Sequence, residues 1–164
     1  MSNTVKLNEN NFSKLDDFIE EYIEKKQWAI ISVAPDEGSD EPGFMYTVGL
    51  TEHGMPEIFV SGYCPALGSA INKLGNFMVK AKTITLGAFD GNLTLKGTGE
   101  TLRLDVREIE DIESFNEVYA IAAFARYGKK VAGIQLVWPD TSNTLPHGVV
   151  YLSQANKRTS HNRF

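Results

Sequence analysis

The feature that most constrains this chain is an abrupt change of hydrophobic period within its first thirty-odd residues. Phe12, Leu15, Phe18, Ile19, Tyr22 and Ile23 recur at helical spacing, while Asp16, Asp17, Glu20, Glu21 and Glu24 occupy the other face. That is the pattern of a helix with one buried stripe. Asn11 or Ser13 is placed to cap it, and Lys25 and Lys26 put cations at the negative end of its dipole. Directly afterwards, Trp28–Ala34 is a short apolar, β-branched run stopped by Pro35, which predicts a buried strand. A helix feeding straight into a strand commits the chain to packing helices on a sheet.

The alternation continues. Pro35–Gly43 is acidic and turn-forming, and predicts an exposed hairpin loop. Phe44–Leu50 and Glu57–Ser61 read as strands whose connection, Thr51–Pro56, is short enough for antiparallel pairing. Pro65 suits the first turn of a second helix that buries Leu67, Ile71, Leu74 and Met78. Thr83–Gly87 and Leu93–Lys96 straddle Asp90-Gly91, a hairpin signal, and Gly97 and Gly99 predict a bulge before a strand at Leu102–Val106. A third helix is expected from Asp111 to Tyr127, with Ile112, Phe115, Tyr119, Ala122 and Arg126 on one stripe and Gly128 as its C-cap. Ile134–Trp138 and Gly148–Leu152 read as closing strands. The expected fold is one α+β domain over residues 1–164, with its core at 11–152 and a basic tail at 153–164. Its sheet is expected to be mostly antiparallel and curled toward a split barrel, with about three packed helices. A parallel crossover through the second helix stays open.

Composition removes several function classes. The 16 Lys and Arg against 21 Asp and Glu give a net charge of −5, the wrong sign for a broad nucleic-acid footprint. Cys64 is the sole cysteine, so an internal disulfide or a multi-cysteine zinc site is excluded. His53, His147 and His161 have no metalloprotease spacing, and no nucleophile-elbow motif occurs. No metal site and no self-contained catalytic constellation are therefore expected. No apolar stretch approaches the roughly 20 residues needed to span a bilayer, so no membrane partner is expected and the expected location is cytoplasmic. The tail with Lys157, Arg158, His161 and Arg163 reads as a solvated terminus.

Phe44–His53, Met55–Gly62 and Gln135–Asp140 together resemble an uncharacterised bacterial and phage family, domain of unknown function 4262. Its pattern couples a Tyr-Thr-x-Gly-Leu strand, here Tyr46 to Leu50, to a Pro-Glu strand, here Pro56 and Glu57. A late glutamine and aspartate near a proline follow, here Gln135, Asp140 and Pro139. The resemblance runs from about Trp28 to Leu152 and implies no activity. One departure is that Pro146 precedes His147-Gly148 where members often carry an aromatic residue. The order of elements is also similar to split-barrel flavin-binding proteins, a layout that implies a dimer holding flavin mononucleotide (FMN) at the subunit boundary.

Candidate ligand-binding residues are Tyr46, Thr47, Arg126, Gln135, Trp138 and Asp140. Thr47 and Thr51 share a strand face beside Gly49, which suits either a hydrogen-bonding site or a wet sheet face. Arg126 falls on a packing stripe, where a guanidinium wants a carboxylate or a phosphate; Asp140 and Glu57 are the internal candidates. Trp138 could form a stacking wall or a core plug. His53 and Glu57, flanking Gly54-Met55-Pro56, are a candidate acid–base pair. The resulting expectation is a small-molecule-binding protein for a nucleotide or flavin, with FMN as the cofactor to test. The alternative is a phage-type interaction or nucleotide-sequestering protein that acts on a host component without catalysis. Homodimerisation is expected through the sheet, the second helix or the Phe44–Leu50 strand, because the acidic helix face would repel itself across a two-fold axis.

Overall fold

The computed structural model describes residues 4–7, 12–35, 37–38, 43–62, 65–95, 97–140, 142–146 and 152. Most of the acidic Pro35–Gly43 loop, the Asn11 cap, Cys64, His147, His161, the Gly148–Leu152 strand apart from Leu152, and the basic tail lie outside the described residues.

In chain order the elements are β1 (Thr4–Leu7), α1 (Phe12–Lys26), β2 (Ala29–Val33), β3 (Phe44–Val48), a 3-10 turn (Leu50–His53), β4 (Glu57–Ser61) and α2 (Pro65–Ala81). Then come β5 (Gly87–Phe89), β6 (Leu104–Glu108), α3 (Ile112–Ser114), a π-helical turn (Phe115–Tyr119), α4 (Ile121–Tyr127) and β7 (Gly133–Val137). The strands form one sheet in the order β1-β2-β3-β4-β7-β6-β5. Pairing is antiparallel except at β1–β2 and at the central β4–β7 seam, where Glu57 lies opposite Gly133. The α+β class and the mostly antiparallel sheet are as expected. The barrel curl is not: β1 and β5 stand at opposite ends of the order without pairing, so the sheet is open.

Strand alternation sends apolar side chains to both faces, and both faces are covered. Ile30, Met45, Ile58, Val60, Leu104, Val106, Ile134 and Leu136 pack with Leu67, Ile71, Leu74 and Met78 of α2. Ala29, Ile31, Tyr46, Val48 and Phe59 pack with Leu15 and Ile19 of α1 and with Phe115, Ala120 and Ala123. This three-layer arrangement is why the strands read as continuous apolar runs rather than alternating ones. Trp138 is the core plug of the two readings offered for it: it is buried and its indole donates to the Ser61 carbonyl at 2.7 Å, locking the ends of β7 and β4 together.

Local structure departs from the expected elements in four places. The third helix is broken. Asn116 is buried, and its side-chain amide donates to Ile112 O (2.9 Å), the carbonyl its own backbone amide would use in an α-helix, and to Val131 O (3.0 Å). Its oxygen accepts from Val131 N at 2.8 Å. This competition produces the π-helical turn, after which the chain kinks at Ala120 (φ −86°, ψ 49°). The bend brings Phe115 against Gly133, where a Cβ would lie 2.5 Å from the ring. The Asp90-Gly91 hairpin is also replaced: Gly87–Phe89 pairs with Leu104–Val106, and Asp90 instead accepts from Asn92 N. Gly97 and Gly99 belong to the turn of a small hairpin between Leu93 and Leu102, not to a bulge. Finally, β1 was not foreseen; four residues alternating polar and apolar give too little signal.

Candidate functional site

Two carboxylates separated by five positions organise the region around the 3-10 turn. The first, Glu57, opens β4 and is fully buried. The Thr47 hydroxyl accepts from Ile58 N at 2.8 Å and donates to Glu57 Oε1 at 2.8 Å. Leu50 N donates to the same oxygen at 3.2 Å, while Thr51 N donates to Oε2 at 2.8 Å and Gly49 N at 3.4 Å. The Thr51 hydroxyl makes a further hydrogen bond to Oε2. Burial pushes the Glu57 carboxyl above the ordinary carboxylate range, and the donors from Thr51, Thr47 and Leu50 pull it part of the way back. Gly49, at φ 130°, permits this wrapping: a Cβ there would lie 2.8 Å from both Gln27 O and Trp28 Cα.

The second carboxylate, Glu52, projects outward from the same turn. It accepts from the Tyr127 hydroxyl at 2.8 Å and from Arg126 Nε at 3.2 Å. Arg126 also donates to Glu20 on α1. Partial burial works against the Arg126 charge, but Glu20 and Glu52 outweigh it and hold its pKa above the usual guanidinium range. Burial and the Glu52 contact push the Tyr127 phenol up. These groups line an open cleft of about 710 Å³ bounded by Asp16, Ile19 and Glu20 of α1, by Glu52, and by Ala125, Arg126 and Tyr127 of α4.

Of the ligand-binding candidates, Arg126 lines this cleft. Its partners are Glu20 and Glu52, not the expected Asp140 or Glu57. Tyr46 is buried; its hydroxyl accepts from Ala122 N at 3.2 Å, and burial pushes its phenol up to about 12, with the Ala122 amide acting against the rise and the Glu57 charge adding to it. Thr47 belongs to the Glu57 cage, Gln135 is buried in β7 between Phe59 and Arg107, and Trp138 fills the core. Asp140 closes a turn by accepting from Ser142 N (2.8 Å) and Thr144 N (3.0 Å). The His53–Glu57 pair is not assembled: His53 is exposed with its ring edge-on to Trp28, while Glu57 faces its own cage inside. Glu20, Glu52 and Tyr127 were missed. The inward arginine was the signal for them, but only long-range packing of α1 beside α4 names its partners.

Among the described residues, no helix is long and apolar enough to cross a membrane, and no three His, Cys, Asp or Glu side chains are placed to hold a metal ion. No curated protein and no solved structure matches the chain. A family model described as domain of unknown function (DUF4262) matches residues 22–151. That span holds the Glu57 cage, Glu52 and Arg126, and with most of its length matched the chain belongs to the DUF4262 family.

Proposed function

We propose that this protein is a small-molecule-binding domain whose site is the cleft between α1, the 3-10 turn and α4. The observation that carries the reading is convergence: Glu20, Glu52 and Arg126, far apart in sequence, meet at an opening of about 710 Å³, within the size range of ligand sites. Three carboxylates against one guanidinium favour a ligand with an ammonium or guanidinium group, which would take the place of Arg126, with the Tyr127 ring as a stacking face. The nucleotide or flavin class, FMN included, requires the opposite event, in which Arg126 leaves its carboxylates to meet a phosphate. Arg126→Ala separates the two. In calorimetric titrations with polyamines and guanidino compounds on one side, and nucleotides and FMN on the other, the variant should bind cations more tightly and lose phosphate ligands. No binding from either panel by the unsubstituted protein would overturn the proposal.

A second reading, homodimerisation, has its own support at the sheet edge. β3 lies between β2 and β4, so the Phe44–Leu50 strand has no open edge to offer. β5 does: among the described residues no strand pairs with its outer side, and Ala88 within it, together with Ile84 and Leu86 in the segment leading into it, is apolar and exposed. No charge interrupts Ile84–Ala88, whereas solitary edges are usually guarded by one. Antiparallel pairing of β5 with its copy about Ala88 would be self-complementary. Sedimentation should give a dimer that Leu86→Lys converts to monomer; a monomer mass for the unsubstituted protein would refute it.

A further inference from the structure

We infer that Glu57, which never reaches the cleft, is the positioning residue for the cleft's charged groups. This inference rests on the cleft being the site, but its test needs no ligand. The 3-10 turn is held on two sides. Its leading amides, Leu50 N and Thr51 N, donate to the Glu57 carboxylate, and its carbonyls, Leu50 O and Thr51 O, accept from Met55 N and Gly54 N at 3.1 Å each. With the backbone held at residues 50 and 51, Glu52 is carried by an anchored turn, and its side chain meets Tyr127 and Arg126 on α4. Arg126 in turn reaches Glu20 on α1. A dry carboxylate at the start of β4 thereby sets the spacing of α1, the turn and α4 around the opening. The Tyr-Thr-x-Gly-Leu and Pro-Glu segments become parts of one device: Thr47, Gly49, Leu50 and Thr51 build the cage, Glu57 fills it, and Glu52 is what the cage presents.

The readout is solvent exchange of the Arg126 Nε–H proton, observed by NMR in the folded, ligand-free protein. Glu52→Gln defines the exchange rate without the carboxylate contact. Glu57→Gln should approach that rate, exchanging about tenfold faster than the unsubstituted protein. Thr51→Val removes a single hydroxyl from the cage and leaves the buried charge in place, so it provides the measurement if Glu57→Gln does not fold; it should accelerate exchange in the same direction. If Thr51→Val and any folded Glu57→Gln retain the original rate while Glu52→Gln raises it, Glu57 stabilises the fold without positioning the cleft, and the inference is overturned. Accelerated exchange together with failure of both ligand panels would sustain the positioning role and overturn the binding proposal alone.

Discussion

The cage around Glu57 and the cluster around Arg126 are both carboxylate-centred networks, joined through the Thr51-Glu52 peptide, and they solve opposite problems. Among the described residues no cation pairs with Glu57: backbone amides and hydroxyls meet a carboxylate fully removed from solvent. The cluster has full charges, with the Glu20 and Glu52 side chains 66% and 41% exposed. Backbone donors cannot move without unfolding a turn, so the dry network fixes geometry. Solvated charges exchange partners cheaply, so the wet one is suited to answering a ligand.

Substitution at the cage should produce the largest response. Glu57→Ala leaves several buried donors unpaired at roughly 1–3 kcal/mol each, so denaturant titration should show a loss of about 3 kcal/mol or more. Gly49→Ala disturbs the same cage from the backbone, through a strained φ and a collision with Gln27 and Trp28; it should cost about 1–3 kcal/mol by the same measurement.

The next effect depends on pH. Burial raises the Glu57 pKa in the folded chain above its ordinary value of 4.5. Well below that value both states hold the proton. As the pH rises the unfolded chain releases it first, so stability falls until the pH passes the folded pKa. Relative to Glu57→Gln, the unsubstituted protein should therefore lose stability with rising pH, by about 1.4 kcal/mol per unit of pKa separation. A flat difference between their stability–pH curves would mean that the cage fully offsets burial.

The smallest effect belongs to the cluster. Arg126→Ala should change stability by about 1 kcal/mol or less, and added salt should shrink the difference. A larger, salt-insensitive loss would erase the contrast between the two networks.

How much of this was legible in the sequence follows from the range of the interactions. α1, α2 and the central strands announce themselves through local periodicity, as Leu67, Ile71, Leu74 and Met78 do on α2. The broken third helix does not, because the cause lies in Asn116 reaching Val131, fifteen positions away. The open sheet was missed for a similar reason: hairpin signals fix neighbours, not whether the two ends of a sheet meet. At the site, Arg126 reads as an inward cation, Thr47 and Thr51 read as a hydrogen-bonding site or a wet sheet face, and Glu57 reads as half of an acid–base pair with His53. Their roles were misread, since a threonine beside a glycine looks the same whether it faces a ligand or a neighbouring carboxylate.

The central seam has a consequence for how the chain reaches this state. β2, β3 and β4 are antiparallel neighbours in sequence order, and so are β5, β6 and β7 in theirs. Among the described strands, the β4–β7 ladder is what joins the two sets, pairing Glu57 with Gly133 across α2, β5, β6, α3 and α4. Closing so long a loop carries the larger entropic cost, so the antiparallel strands on each side can zip from contacts nearby while the midline waits for the rest of the chain. During synthesis the first half leaves the ribosome with β4 as a bare edge. That edge stays open to solvent, or to the same strand on a neighbouring nascent chain, until β7 has been made and the molecule closes from the middle.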